Sequence, residues 1–264
     1  MKVSISITKK RIHLSFFLTL ALSLVFILAS CSSASIESTI TAPTVEPSSA
    51  AEEESQPINK TASEGGVFKL IASDPPTLDP HLASDATSAT MIVEIFGGLV
   101  TINPDLEIVG DLAKNWEISL DGLVYTFFLR EDAVFHNGKA VTANDFKWSL
   151  ERACDTLTES LVAEQYLGDI VGVKSKLRGE AREIEGIKVI DDHTLEITID
   201  QPKSYFLAKL TYPTAFVVDK NNVKEGKRWT RNPNGTGPFK LKEYTPGELM
   251  VLGSNPEYHL GAPH

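Results

Sequence analysis

The sequence predicts a mixed α/β domain with antiparallel hairpins over residues 66–264. Segments with strand-like and helix-like spacing are interleaved there without regular β–α alternation, which argues against a plain doubly wound sheet. Turn signals that contain aspartate or glycine separate pairs of alternating apolar segments, the pattern of hairpins. Apolar residues make up 42% of the 264-residue chain, enough for a sizeable core.

The region is predicted to begin with a strand, a stiff loop and a helix. The strand is expected over "VFKLIA" (67–72). Three prolines within "IASDPPTLDPHLASD" (71–85) fix φ and keep that stretch out of helices and inner strands, so a rigid loop is expected, a common place for a binding surface. Residues 87–99 have apolar side chains at helical spacing, and Gly97-Gly98 is expected to end that helix as a C′ glycine does. A strand over 99–103 follows.

Two turns and a capped helix are expected next. Asp121-Gly122 and Asn137-Gly138 are strong hairpin turn signals because both dipeptides favour positive φ. Thr142 followed by Asp145 predicts a capping-box-like helix start, and apolar or small residues then recur at helical spacing up to Ala153.

The last third alternates short helices with strand pairs. A helix is expected over 159–171 and a hairpin over 186–199. A short helix at 204–210 precedes a strand at "AFVVD" (215–219). A final strand pair is expected around Thr245-Pro246-Gly247, where proline and glycine mark a turn.

The amino end carries an export signal. Four basic residues and no acidic ones lie among the first thirty, followed by the apolar run 12–29 and by "LASC" (28–31). The alternative is a transmembrane helix, because eighteen apolar residues reach the lower limit for spanning. "LASC" resembles the bacterial lipobox, which implies cleavage before Cys31 and a lipid on that cysteine. Residues 1–30 are therefore expected to be a lipoprotein signal peptide, and the Ser-, Thr-, Pro- and Glu-rich residues 31–65 a disordered tether.

Composition and motifs point away from nucleic-acid binding and from catalysis. The formal net charge is −10, whereas nucleic-acid binding needs clustered Lys and Arg. The sequence has no nucleophile-elbow, zincin, Cys-x-x-Cys or Walker motif, so neither a catalytic residue nor a cofactor is expected. The histidines, including His136 and His193, are scattered along the sequence, so a metal site is not expected. Cys154 is expected to be a small buried residue rather than a nucleophile.

Several blocks together resemble family 5 of the bacterial extracellular solute-binding proteins. They are "PPTLDPH" (75–81) and the stretches 95–155, 186–218 and 234–263, in the family's order and spacing. The oligopeptide-binding branch is the most similar, partly from "AEQYLGDIVGV" and "IKVIDDHTLEIT". The resemblance implies a periplasmic-binding-protein-like fold of the two-lobed class II type. It also implies that residues 66–264 are a truncated first lobe, because family members are about twice this length.

The resemblance also implies where a ligand is contacted. In the family, the loop after "LDP" pairs its main chain with an extended peptide, which is β-augmentation. A second candidate segment is "NGTG" (234–237), which can equally be a structural crossover between two parts of the chain. A third is the stretch around residue 162, where oligopeptide receptors commonly have a tyrosine. Here an ungapped alignment puts Val162 at that position, with Tyr166 four residues later. The candidate ligand-binding residues are Ser84, Asp85, Ala86, Thr87, Val162, Tyr166, Asn234, Gly235, Thr236 and Gly237.

The implied function is that of a membrane-anchored substrate-binding subunit of an ABC importer. Its expected partners are an oligopeptide, the permease subunits and, through lipid on Cys31, the outer face of the cytoplasmic membrane, with the protein itself a monomer. The alternatives within the family are other solutes: a nickel chelate, haem or an oligosaccharide. The alternatives outside it are an exported surface hydrolase and an adhesin.

Overall fold

The structure is a computed structural model and describes residues 66–263. Helices and strands alternate irregularly along the chain, and every strand pair in this range is antiparallel. The predicted mixed α/β class with antiparallel hairpins is confirmed. The elements are α1 (Ala86–Ile95), β1 (Val100–Ile102), β2 (Ile108–Gly110), β3 (Ala113–Ile118), β4 (Val124–Leu129), α2 (Ala143–Ala153), α3 (Ala163–Leu167), α4 (Val173–Leu177), β5 (Ile187–Asp191), β6 (Thr194–Thr198), α5 (Phe206–Lys209), α6 (Lys220–Val223), β7 (Phe239–Thr245) and β8 (Leu249–Ser254).

A four-stranded sheet in the order β3-β4-β6-β5 supports the larger of two cores. Two predicted hairpins form it, and the β3–β4 turn has Gly122 at φ 71°, where a side chain would be strained. Along β4 every second side chain is buried, and Phe127 lies opposite Leu195 of β6. This alternation fixes the register, because a slip of one residue would turn the buried side chains to solvent.

Helix α2 lies between the sheet and a second, smaller core. Phe146 and Leu150 are fully buried in the larger core. Trp148 packs against the smaller core, to which α1, Phe216, Val218 and Trp229 contribute. The Ser149 hydroxyl accepts a hydrogen bond from the Val218 amide at 3.0 Å, so α2 also holds the 216–218 segment directly.

The predicted strand at 67–72 is wrong. Residues 67–71 have no regular structure, and the side chains of Val67, Phe68, Leu70 and Ile71 are each more than two-thirds exposed. The segment is a short apolar run, but a strand also needs a neighbour for its main chain, and residues 66–263 offer it none.

Two further predictions are wrong because the backbone adopts a local conformation that the sequence pattern does not show. The single helix expected over 159–171 is only α3, because Glu159 has φ 57° and the chain enters the helix at Ala163. The strand expected at 215–219 begins instead with a 3₁₀ turn, Pro213–Ala215, and continues as buried chain whose Val217 amide bonds to the Gly97 carbonyl.

The glycines after α1 are present for close packing. The helix ends at Phe96 in an extended conformation rather than through a left-handed C′ glycine, so the expected ending is wrong. A Cβ on Gly98 would lie 2.8 Å from the Phe216 ring, which is closer than packed atoms approach. Gly98 therefore lets the chain pass against Phe216, and a Cβ on Gly97 would lie 2.6 Å from the Asp111 carboxylate.

No helix within residues 66–263 is long and apolar enough to cross a membrane. The predicted export signal and tether, residues 1–65, lie outside the described residues.

The capping box of α2 is expected to contribute measurably to stability. The Thr142 side chain accepts from the Asp145 amide, and the Asp145 carboxylate accepts from the Thr142 amide at 3.0 Å. Thr142→Ala should lower the free energy of unfolding by about 1 kcal/mol. Thr142→Ser keeps the acceptor and should stay near the wild-type value in urea unfolding. Equal losses in the two variants would contradict this role for the hydroxyl.

Candidate functional site

The loop before α1 is held by short-range hydrogen bonds. The Thr77 hydroxyl accepts from the Asp79 amide at 3.0 Å, and the Ser88 hydroxyl accepts from the Thr77 amide at 3.2 Å. The Asp79 carboxylate in turn accepts from the His81 amide at 3.0 Å. Pro80 lies between these two residues and fixes φ, so residues 77–81 keep one conformation.

A buried ion pair joins this loop to α2. The two terminal nitrogens of Arg152 lie 2.9 and 2.6 Å from the two carboxylate oxygens of Asp79, a bidentate geometry. The side chains are 15% and 5% exposed, so the pair is largely removed from water. The guanidinium also lies 5.7 Å from the Trp229 ring centroid, within cation–π range. The loop cannot leave α2 without leaving a buried charge unpaired.

His81 is fully buried beside the ion pair and is engaged through both ring nitrogens. Its Nδ1 lies 2.7 Å from an Arg152 nitrogen and must accept, because a guanidinium only donates. Its Nε2 therefore carries the proton and donates to the Phe216 carbonyl at 3.1 Å. Burial, and after it the Arg152 charge, lowers the pKa of His81 to about 4, so the ring is neutral at pH 7.

The residues after His81 expose main chain at the start of α1. Ser84 is exposed, and among the hydrogen bonds of residues 66–263 none involves its N–H or its C=O. Asp85 is extended (φ −132°, ψ 156°) and caps α1 by accepting from the Ser88 amide at 2.8 Å. That hydrogen bond is the main cause of the lowered pKa of the Asp85 carboxyl. Extended main chain with free polar groups can bond to a second extended chain.

Ala86 does not belong to the loop on which the sequence placed it, whereas Thr87 lies in the helix, as expected. They form the first turn of α1, with Ala86 exposed and Thr87 half-buried. Amides in the first turn of a helix have no intrahelical partner. The two residues therefore remain beside Ser84 as possible donors, in a helical rather than an extended conformation.

Tyr212 brings the third candidate segment, which carries Val162 and Tyr166, to this loop. Its hydroxyl donates to the Ala83 carbonyl at 3.3 Å, and burial raises the pKa of the phenol, which keeps the proton in place. The Tyr212 ring stacks on the Tyr166 ring with centroids 3.9 Å apart and planes 1° apart. Tyr166 and the Ser84 loop therefore lie on one surface, joined through Tyr212.

Val162 is half-buried at the start of α3, one helical turn before Tyr166. The Val162 carbonyl accepts from the Tyr166 amide at 3.1 Å. Just after α3, Asp169 bonds Lys203 at 2.7 Å and Lys209 at 2.6 Å, which ties the helix to the segment that leads to Tyr212. This network supports the stacking of the two tyrosines.

Asn234, Gly235, Thr236 and Gly237 lie at the opposite end of α1. The Gly237 amide donates to the Ile95 carbonyl at 2.9 Å, and the Gly235 carbonyl accepts from the His136 amide at 2.8 Å. Asn234 is engaged by Asp219, Asn222 and Asn137, and Thr236 is buried. The ten residues of α1 span about 15 Å, so this segment does not join the Ser84 surface.

Of the two cysteines, only Cys154 lies within the described residues. Cys31, the predicted lipid attachment site, lies outside the described residues. Cys154 is fully buried at the end of α2, as predicted, and burial raises the pKa of its thiol to about 12, which disfavours the nucleophilic thiolate. Within residues 66–263 no three His, Cys, Asp or Glu side chains are grouped so as to hold a metal ion.

Two residues of this surface, Tyr212 and Arg152, were missed by sequence reasoning. Tyr212 lies 129 positions from its partner Ala83, and Arg152 lies 73 positions from Asp79. Tyr212 precedes Pro213, and Arg152 lies on the polar side of a helical pattern. Neither position carries a local signal of such distant contacts.

A family model matches most of the described region. The model for bacterial extracellular solute-binding proteins, family 5 Middle, matches residues 107–264. The chain belongs to this family. The predicted family resemblance and the periplasmic-binding-protein-like fold class are thereby confirmed.

Proteins of known description match the same part of the chain. The periplasmic oligopeptide-binding protein OppA of Escherichia coli is 35% identical over 70% of this chain and 35% of its own length. The probable deoxycholate-binding periplasmic protein YgiS of E. coli is 32% identical over 70% of this chain and 36% of its own length. The substrate-binding domain of an oligopeptide ABC transporter from Bacillus anthracis has a TM-score of 0.69 at 28% identity, covering 72% of this chain and 38% of that one. The chain thus spans about a third of the length of the relatives it matches.

Acid is expected to destabilise the described region through buried neutral histidines. Burial lowers the pKa of His136 as well as that of His81 to about 4. Between about pH 6.5 and pH 4 the unfolded chain binds protons that these residues do not bind when folded, so stability is complete above this window and falls as the pH falls. Each histidine should contribute a slope of about 1.4 kcal/mol per pH unit in the middle of it.

Urea unfolding at several pH values between 7 and 4 measures this slope. His136→Gln should remove one histidine's share of the dependence. A slope that His136→Gln leaves unchanged would contradict the assignment of that residue as neutral in the fold.

Proposed function

We propose that this chain forms the first lobe of the substrate-capture subunit of an ABC importer for oligopeptides. The observation that carries the proposal is the exposed, unpaired main chain of Ser84 beside the extended Asp85. Main-chain groups bind any peptide regardless of its side chains, which suits a receptor for peptides of varied sequence. The peptide-binding relatives in family 5 support the same reading.

The geometry suits binding because the contact is ordered before the peptide arrives. The loop is fixed by the Asp79–Arg152 pair on one side and by the Tyr212 hydroxyl on the other. A preordered loop loses little conformational entropy on binding, so more of the interaction energy remains as affinity. The stacked rings of Tyr166 and Tyr212 then offer an apolar wall beside the main-chain contact.

The capture cycle we propose requires a second lobe. A peptide paired with Ser84 binds more tightly when that lobe closes over it, which shifts the population towards the closed form. The closed form presents the surface that the permease subunits recognise. The protein acts in this cycle as a monomer and catalyses no reaction.

Export and anchoring complete the proposal. A lipid on Cys31 would hold the domain at the outer face of the cytoplasmic membrane, with residues 32–65 as the tether. In this arrangement the candidate segment Asn234–Gly237 supports the carboxyl end of α1 rather than contacting the ligand, because the Asn234 side chain, the Gly235 carbonyl and the Gly237 amide bond within the chain.

A second candidate ligand is a rigid apolar molecule such as a steroid acid. One observation favours it: a family 5 relative is named as probably deoxycholate-binding, and the parallel Tyr166 and Tyr212 rings would suit a flat apolar surface. Such a ligand would use the aromatic wall and would not need the Ser84 amide.

The test removes the Ser84 amide without removing its neighbours. Ser84→Pro deletes the N–H, while Ser84→Ala deletes only the side chain. Calorimetry of the full-length protein with a mixed oligopeptide pool should show the proline variant weakened about tenfold or more, the value of one lost hydrogen bond at a buried contact. The alanine variant should stay close to wild type.

Thermal unfolding of both variants controls for misfolding. Equal affinities of the proline and alanine variants would contradict main-chain recognition. Binding of deoxycholate but of no peptide would instead favour the second candidate.

A further inference from the structure

The candidate surface consists of two walls that come from distant parts of the chain. One wall is the loop 77–85, which carries Ser84, and the other is the segment 212–218, which begins with Tyr212. Two side-chain hydrogen bonds join these walls: the Tyr212 hydroxyl to the Ala83 carbonyl at 3.3 Å, and His81 Nε2 to the Phe216 carbonyl at 3.1 Å. The second bond is the buried one, so water competes with it least.

We propose that His81 is a positioning residue of the peptide site, because its donated Nε2–H bond to the Phe216 carbonyl sets the spacing between the Ser84 wall and the Tyr212 wall. The inference rests on the proposed function and names a residue that does not itself touch the ligand. His81 is fully buried, so it acts only through the walls it joins.

The donors and acceptors around His81 allow only one protonation state of its ring, with the proton on Nε2. Arg152, from α2, donates to Nδ1 and to both carboxylate oxygens of Asp79. Asp79 also accepts from the His81 amide. The remaining ring nitrogen must donate, and the carbonyl of Phe216 is its acceptor. The ion pair therefore selects the tautomer that reaches across to the other wall.

The charges that face the ring explain why it stays neutral. Asp79 lies on its own loop and Arg152 on α2, while the 212–218 segment contributes only the Phe216 carbonyl. A proton on Nδ1 would point at the Arg152 guanidinium, so protonation would break the Arg152 bond and push α2 away from the loop. The arrangement that joins the walls is thus maintained from neutral pH down to about pH 5, given the pKa near 4.

Two further hydrogen bonds hold the 212–218 segment in place, and their amide exchange rates can show whether the His81–Phe216 bond positions it. The Val217 amide donates to the Gly97 carbonyl at 3.0 Å, and the Val218 amide donates to the Ser149 hydroxyl at 3.0 Å. These two amides are slow to exchange with solvent only while the segment stays in place. Their exchange rates therefore measure the position of the wall without any ligand.

Two substitutions separate the two ring nitrogens. His81→Gln places an amide N–H near the Nε2 position and keeps the bond to Phe216, whereas it loses the acceptor for Arg152. His81→Asn keeps an acceptor near the Nδ1 position and loses the bond to Phe216. Both variants lose part of the cluster, and both should lower the melting temperature.

We expect only His81→Asn to loosen the walls. In the unliganded protein its Val217 and Val218 amides should exchange at least tenfold faster than in His81→Gln. In the full-length protein at pH 7, His81→Asn should bind a mixed oligopeptide pool about tenfold more weakly, while His81→Gln stays within about threefold of wild type. His193→Gln, in the turn between β5 and β6, is the matched control and should leave both readouts unchanged.

Each outcome decides the proposal. Equal exchange rates in the Asn and Gln variants, or equal losses of affinity, would overturn it, because the bond to Phe216 would then not be what spaces the walls. If the wild-type protein binds no peptide, the proposed function fails, and the exchange rates still decide whether His81 joins the two segments.

Discussion

The bidentate ion pair between Asp79 and Arg152 is the contact on which the candidate site depends. It holds the loop that carries Ser84 against α2, and it leaves His81 only one way to bond. Losing one member of a buried pair typically costs about 3–5 kcal/mol, because the other charge stays behind without a partner. The loop is therefore fixed by electrostatics as well as by its prolines. A binding surface made of main chain needs such a support, since its N–H and C=O groups must stay fixed to meet those of a ligand.

Local signals predicted the parts of the fold that depend on neighbours in sequence. The turn at Asp121-Gly122 and the capping box at Thr142 and Asp145 each involve residues within three positions, and both formed as expected. The strand expected at 67–72 did not form, because a strand depends on a partner that the local pattern cannot supply. The helix expected over 159–171 was shortened by a left-handed residue, Glu159, which no periodicity reveals.

The candidate site was predictable only in part, because some of its contacts join residues that are distant in sequence. The resemblance to family 5 pointed to Ser84 and Asp85, and the structure leaves Ser84 exposed and Asp85 extended. Tyr166 lies four residues after the position that the ungapped alignment indicates, and its stacking with Tyr212 brings it to the same surface. Tyr212 itself could not be found from the sequence, because its contact with Ala83 spans more than a hundred residues. The pairing of Arg152 with Asp79 could not be predicted from charge either, because many acidic and basic residues of the chain are exposed and could serve as partners equally well.

The central claim is that the first lobe recognises a peptide through the main chain at Ser84. The most direct test is a crystal structure of the full-length protein with a bound oligopeptide. We predict a peptide N–H or C=O within about 2.7–3.2 Å of the Ser84 main chain, the range of a normal hydrogen bond, with loop 77–85 unchanged in conformation. A peptide that occupies the cleft without bonding to the main chain of Ser84 or Asp85 would contradict it.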